Sequence, residues 1–130
     1  NLLDDTIINN ITFFKNNKND DKFLMDVAKQ AQILELIKDS GNKNVGERGL
    51  RMSGGQLQRL SIARALYKKP SILIFDEATN ALDESTEKKV FDTIYSLKGK
   101  VTLILISHNL NNLNKCDLKF KLNDGKLDKI

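Results

Sequence analysis

At 130 residues, the chain is long enough for one hydrophobic core and too short for two independent domains. A hydrophobic share of 40% beside 29% charged residues belongs to a folded globular unit, and it excludes both a disordered tail and a membrane bundle. The net charge of +4 comes from lysines scattered among acids, as in Asn19-Asp20-Asp21-Lys22 and Glu87-Lys88-Lys89, so it reads as a solvated surface and not as a nucleic-acid-tracking patch.

Residues 1–14 are moderately apolar, and the Asn/Lys/Asp stretch 15–22 reads as a loop. Phe23, Leu24, Val27, Ala28, Ala31 and Leu34 recur at helical spacing and predict one helix over about 21–38. Residues 41–51 hold three glycines and no periodicity, which is a loop. Ser53 then begins a helix with Gln56 three residues on, the pattern of a capping box, and Pro70 stops it after about Tyr67. Ser71–Phe75 is a short continuous apolar run of the kind buried on both faces of a parallel sheet. Asp83 can cap a helix over about 84–97, with Val90, Phe91, Ile94 and Leu97 on its buried stripe. Val101–Ile106 is a second apolar strand, and the resulting βαβ unit leaves both strand C-termini on one edge, where ligands of such sheets bind. A short helix around 109–114 follows, then alternation of Leu118, Phe120 and Leu122 with lysines, and an Asn123-Asp124-Gly125 hairpin turn. The apolar runs fall far short of the roughly 20 residues that span a bilayer. With Asn1 in place of Met and no signal-peptide pattern, the chain is expected to begin mid-protein. The single cysteine, Cys116, forms no internal disulfide and reads as a small packed residue of a reducing compartment.

Three places carry chemistry. The helix start Ser53-Gly54-Gly55-Gln56 offers unpaired N–H groups and the positive end of the helix dipole, with glycines that let an anion reach the backbone; Ser-Gly-Gly is equally a common flexible loop. The strand Ile72–Phe75 delivers Asp76 and Glu77 at the ligand edge, where one acid can hold Mg²⁺ and a second can activate water. Two adjacent carboxylates there do little for stability, which favours function over an exposed loop entry. The partner strand ends in Ser107-His108 at the same edge, and His108 is the only histidine.

Together these residues make a specific resemblance. Met52-Ser53-Gly54-Gly55-Gln56 with Leu57-Gln58-Arg59 and Ile62–Leu66 resembles the signature motif and helix of ATP-binding-cassette (ABC) proteins, with Met where Leu usually leads. Ile72–Glu77 resembles their Walker B strand and catalytic glutamate, Asn80-Ala81-Leu82-Asp83 their D-loop, and His108 their switch histidine. Leu3–Ile11 is similar to the segment after the Q-loop of exporters, and Val45-Gly46-Glu47-Arg48-Gly49 to their X-loop, which lies beside the transmembrane coupling helices. The family pattern breaks at its beginning: no Gly-x-x-x-x-Gly-Lys-Ser/Thr occurs, so the P-loop, adenine-stacking aromatic and Q-loop glutamine are expected upstream of Asn1.

The resemblance implies an α/β fold: a partial P-loop ATPase core with parallel strands, a helical signature subdomain over about 12–68, a Walker B and histidine part over about 69–130, and a C-terminal hairpin. It implies ATP and Mg²⁺ as ligands. Asp76 would hold the metal, Glu77 would activate the lytic water and His108 would sense the γ-phosphate. Ser53, Gly54, Gly55 and Gln56 would face the ATP of an opposite subunit, and Asp83 would link the two sites. The implied partners are a second nucleotide-binding domain and the transmembrane domains of an exporter, which puts the chain at the cytoplasmic face of a membrane; nucleic acid is not expected. The isolated chain is expected to be inactive as an ATPase and to expose apolar surface where the rest of the sheet belongs. Two other readings fit part of the pattern. One is the C-terminal lobe of a DNA-repair or condensation ATPase, which should follow a heptad-patterned coiled coil. The other is a non-catalytic module that presents Ser53–Gln56 in trans.

Overall fold

The computed structural model of the chain describes residues 2–13, 21–40, 44–45, 52–77 and 82–130. Most of the loop expected over 15–22, and the 41–51 loop apart from Asn44 and Val45, lie outside the described residues. Among the described residues the elements run α1 (Ile7–Thr12), α2 (Asp21–Gln30), α3 (Leu34–Ser40), α4 (Gly54–Tyr67), β1 (Ile72–Asp76), α5 (Glu84–Ser96), β2 (Thr102–Ile106), a 3₁₀ turn η1 (Leu110–Leu113), β3 (Phe120–Asn123) and β4 (Lys126–Lys129). The α/β class is as the sequence indicates: β1 and β2 form a parallel pair, and β3 and β4 an antiparallel hairpin.

The helical half is built around α4. Its start carries the reciprocal cap: Ser53 Oγ accepts from the Gln56 N–H at 3.2 Å, and Gln56 Oε1 accepts from the Ser53 N–H at 2.8 Å. Leu60, Ile62, Ala63 and Leu66 are buried on this helix, against Ile7 and Ile11 of α1 and Leu24, Val27 and Ala28 of α2. The moderately apolar N-terminus forms α1 because Thr6 Oγ1 caps it through the Asn9 N–H, and because Ile7 and Ile11 fall four apart on one face. Fully buried Asn10 ties down the chain before it, donating to the Leu3 and Thr6 carbonyls and accepting from the Leu3 N–H. Val45 is buried too, and its N–H donates to the Asp5 carbonyl at 2.9 Å.

The single helix expected over 21–38 is two helices. Gln32 adopts φ +56, a left-handed turn that ends α2 and redirects the chain. Tertiary contacts favour the break: it buries Ile33 and Ile37 alongside Val27, and the Arg59 guanidinium donates to the freed Gln32 carbonyl at 2.9 Å.

The second half is the β1–α5–β2 unit. Asp83 Oδ2 caps α5 by accepting from the Thr86 N–H at 3.0 Å. Val90 and Ile94 of α5 are buried with Leu73 and Phe75 of β1. The pairing runs from Ile72↔Thr102 to Asp76↔Ile106. Only this face is covered, which corrects the expectation of strands buried on both sides. Ile72, Ile74, Ile104 and Ile106 point outward, with Ile74 63% exposed. The strand period of two puts alternate isoleucines on the side away from α5, and among the described residues no layer lies over them. The apolar surface expected at the sheet is therefore present. A groove of about 260 Å³ runs between Ile74 and Leu57, Ser61, Ile62 and Ala65 of α4.

The hairpin turns at Asp124 and Gly125, with φ +47 and +77. Positive φ at both central residues is the turn that matches strand twist, and glycine adopts it without a Cβ clash. Every residue of β3 and β4 is exposed.

Two classes of substitution separate the covered from the uncovered apolar positions. Ile11→Ala or Leu60→Ala, at fully buried sites, should each cost about 2–5 kcal/mol in urea unfolding. Ile74→Ser on the outward face should change stability by about 0.5 kcal/mol or less.

Candidate functional site

β1 and β2 end side by side, so the residues that follow them share one edge of the sheet. Asp76 is the last residue of β1, paired with Ile106. The ladder runs one residue further, because the Glu77 N–H donates to the Ile106 carbonyl at 3.0 Å. Glu77 there takes φ +46, the left-handed region that costs a β-carbon residue about 1–3 kcal/mol. His108, two residues beyond β2, meets it: Nδ1 lies 3.2 Å from Glu77 Oε1. A carboxylate only accepts, so in this contact the imidazole donates from Nδ1, and Nε2 takes no part in it. Both side chains are open to solvent, His108 at 73% and Glu77 at 48%. Asp76 is exposed as well.

The segment carrying His108 is pinned by its own side chains. Ser107 Oγ accepts from the Asn109 N–H at 3.0 Å, and Asn109 Oδ1 accepts from the Asn111 N–H at 3.1 Å to cap η1. Beneath Glu77 lies a cavity of about 10 Å³ lined by Phe75, Phe91, Ile94, Leu105 and Ser107 among others, a volume at the threshold for one water. This cavity is too small for a phosphate group.

The other candidate residues stand on separate elements. Ser53 and Gly54 are exposed at the α4 start, and Gly55 and Gln56 are half-buried. The Ser53 hydroxyl accepts within the cap, and among the described residues it donates to no acceptor. Asp83 is exposed at the α5 start, where bonds from the Ser85 hydroxyl and from the Thr86 N–H hold its carboxyl well below the usual carboxylate range. Among the described residues, neither Ser53–Gln56 nor Asp83 shares a hydrogen bond with the Glu77–His108 pair. Asn80 and Ala81 of the D-loop stretch, and residues 46–49 of the X-loop stretch, lie outside the described residues.

The sequence pattern did not disclose the bonds of Asn109 and Asn112, which fasten the turn that follows His108. The signal available was the run Asn109-Leu110-Asn111-Asn112-Leu113-Asn114, in which an asparagine precedes an apolar residue as a cap does; it revealed a short helix and not its anchoring.

With this geometry in hand, comparison with known proteins defines the class. The family profile described as "ABC transporter" matches residues 3–80, and the chain belongs to that family. Among curated proteins it is similar to ABC transporter B family member 6 of Dictyostelium discoideum, with 46% identity across 97% of this chain and 19% of that protein. It is also similar to an ATP-dependent lipid A-core flippase of Francisella tularensis, with 40% identity across 97% of this chain and 21% of that protein. A heavy metal tolerance protein of Schizosaccharomyces pombe is 40% identical across 97% of this chain and 15% of its own length. In three dimensions the chain overlays on a bacterial Atm1-family ABC exporter with ATP bound, with a TM-score of 0.86 and 38% identity, over 98% of this chain and 23% of that one. The chain thus spans about a fifth of the length of the curated relatives named first.

The Asp83 cap has a pH signature. A carboxyl whose folded pKa is depressed contributes stability that is complete above its unfolded value near 3.9 and is lost as pH falls through the folded value. In urea unfolding, the stability difference between the wild-type chain and Asp83→Asn should therefore be constant from pH 7 down to about 5 and shrink below about pH 4. A difference that persists unchanged at pH 2.5 would refute the capping charge.

Proposed function

We propose that this chain is the signature-bearing and Walker B part of the ATP-hydrolysing motor of an ABC exporter, divided at about residue 68 into a helical subdomain and a catalytic half. The observation that carries the reading is the Glu77–His108 contact of 3.2 Å at the sheet edge beside Asp76. On this reading the carboxylate of Glu77 accepts a proton, the imidazole of His108 faces the phosphate, and Asp76, at the same strand end, supplies a metal-binding acid.

The donor set suits magnesium. Asp76 is an exposed carboxylate at the strand end, and Mg²⁺ characteristically takes one or two carboxylates and completes its shell with water and substrate phosphate. Asp76 would hold it, and bound there it would neutralise charge on the phosphates. The α4 start suits an anion, since it combines adjacent glycines, an available hydroxyl hydrogen and the N-terminus of a 14-residue helix.

Each residue then has one task. Glu77 orients the attacking water and takes its proton at Oε. His108, held by Glu77 through Nδ1, faces the terminal phosphate and responds to its departure. Ser53, Gly54 and Gly55 bind the terminal phosphate of a nucleotide carried by an opposite subunit, and Gln56 keeps that helix start in shape. Asp83 caps α5 and stands at the junction between the two sites. The P-loop that cradles the phosphates comes from outside these 130 residues, because no such motif occurs within them. The partners on this reading are a second nucleotide-binding domain and the membrane domains of the transporter, with the chain on the cytoplasmic face.

Two measurements test it together. The 130-residue chain alone should show no Mg-ATPase activity above buffer, because nothing in it replaces the P-loop amides and lysine. In the intact transporter, Glu77→Gln should lower kcat by roughly 10²–10⁴-fold while nucleotide binding persists. Glu77-dependent turnover by the isolated chain would overturn the assignment of a shared site, and an intact protein indifferent to Glu77→Gln would overturn the catalytic reading.

A further inference from the structure

The segment after His108 runs back along α5 and is fastened to it at intervals. Asn112 lies at the centre of the attachment. Its side-chain Nδ2 donates to Glu87 Oε1 at 2.9 Å, and its backbone carbonyl accepts from the Tyr95 hydroxyl. The same hydroxyl lies 3.5 Å from Cys116 Sγ. Lys115 pairs with Asp92 at 3.2 Å, and Lys98 bonds both the Lys115 carbonyl and Asp117. Glu87 stands one turn after Asp83, and its N–H donates to the Asp83 carbonyl at 2.8 Å.

Burial distinguishes these links. The Lys115–Asp92 and Lys98–Asp117 pairs are solvent-exposed, and such pairs contribute little. The Asn112 bonds are partly buried, where a missing partner leaves a desolvated polar group and costs more. They also act at both ends of a short lever. Asn112 fixes η1, Asn109 caps η1 and bonds Ser107 through its own N–H, and His108 sits between those two residues.

We propose that Asn112 is a positioning residue for hydrolysis. By bridging Glu87 and Tyr95 it sets η1 on α5 and so holds the His108 imidazole against Glu77, tying the placement of His108 to the helix that Asp83 begins. The proposal rests on the ATPase reading above and adds to it a residue that touches neither nucleotide nor metal.

The test uses the intact transporter for rate and this chain for geometry. Asn112→Ala should lower kcat roughly 10- to 100-fold, the scale of a misplaced catalytic group, with KM for ATP unchanged within about twofold. Glu87→Ala should match it, the double variant should be no slower than either single one, and Glu87→Gln, which retains a carbonyl acceptor, should restore most of the rate. Asn112→Ala combined with His108→Ala should be no slower than His108→Ala alone. A purely structural role would instead lower the melting temperature and the active fraction, and would multiply with the His108 defect. Because His108 is the only histidine, its ring signals in the chain's NMR spectrum are unambiguous. The cross-relaxation between ring and Glu77 side chain should be present in wild type and Glu87→Gln and lost in Asn112→Ala and Glu87→Ala, with the methyl signals of Ile11 and Leu60 unmoved. Retention of that cross-relaxation, or of wild-type kcat, in a folded Asn112→Ala protein overturns the proposal alone. An intact wild-type protein without Glu77-dependent turnover overturns the reading beneath it, whatever the NMR result.

Discussion

Parallel pairing of β1 and β2 in one register constrains everything at the candidate site. With Asp76 opposite Ile106, the chain leaves both strands at the same level, and Glu77 and His108 meet although 31 residues separate them. A shift of one residue would turn every side chain of one strand to the opposite face. Leu73 and Phe75 would then lose their cover from α5, and Glu77 would lose its ladder bond to Ile106. The buried contacts of Leu73 and Phe75 with Val90 and Ile94 thus hold the register that aligns the chemistry.

That alignment is bought with local strain. Glu77 sits at positive φ, a conformation that its own side chain disfavours. The ladder bond from its N–H and the contact from His108 oppose the strain. Backbone strain of this kind persists where surrounding structure over-determines it, and here the surroundings are two strand ends and a pinned 3₁₀ turn. The exposure of the site follows from the same geometry: strand ends open onto solvent, and the cavity beneath Glu77 is water-sized.

The two halves of the chain differ in how far their apolar residues are covered among the described residues. The helical half closes around Ile11, Leu24, Ala28, Leu60 and Ala63, all essentially inaccessible to solvent. The sheet half has one face covered by α5 and one uncovered, and its hairpin is exposed throughout. Strands of parallel sheets that carry apolar residues on both faces are ordinarily covered on both. The outward isoleucines accord with a chain that spans about a fifth of its curated relatives.

Local interactions were readable from the order of residues alone. The Ser53/Gln56 cap, the Asp83 cap, the two apolar strands and the Asp124-Gly125 turn each depend on residues a few positions apart, so pattern and side-chain chemistry were enough to read them. The candidate site residues Ser53–Gln56, Asp76, Glu77 and His108 were likewise picked out by local pattern. The break at Gln32 between the second and third helices emerged from the folded chain, where Arg59, 27 residues away, donates to its carbonyl. The tertiary structure also decided that one face of the sheet is bare, that Glu77 adopts a left-handed backbone, and that Asn112 reaches Glu87 across 25 residues. Those outcomes arise from packing between elements distant in sequence, and no short window of residues contains the partners that create them.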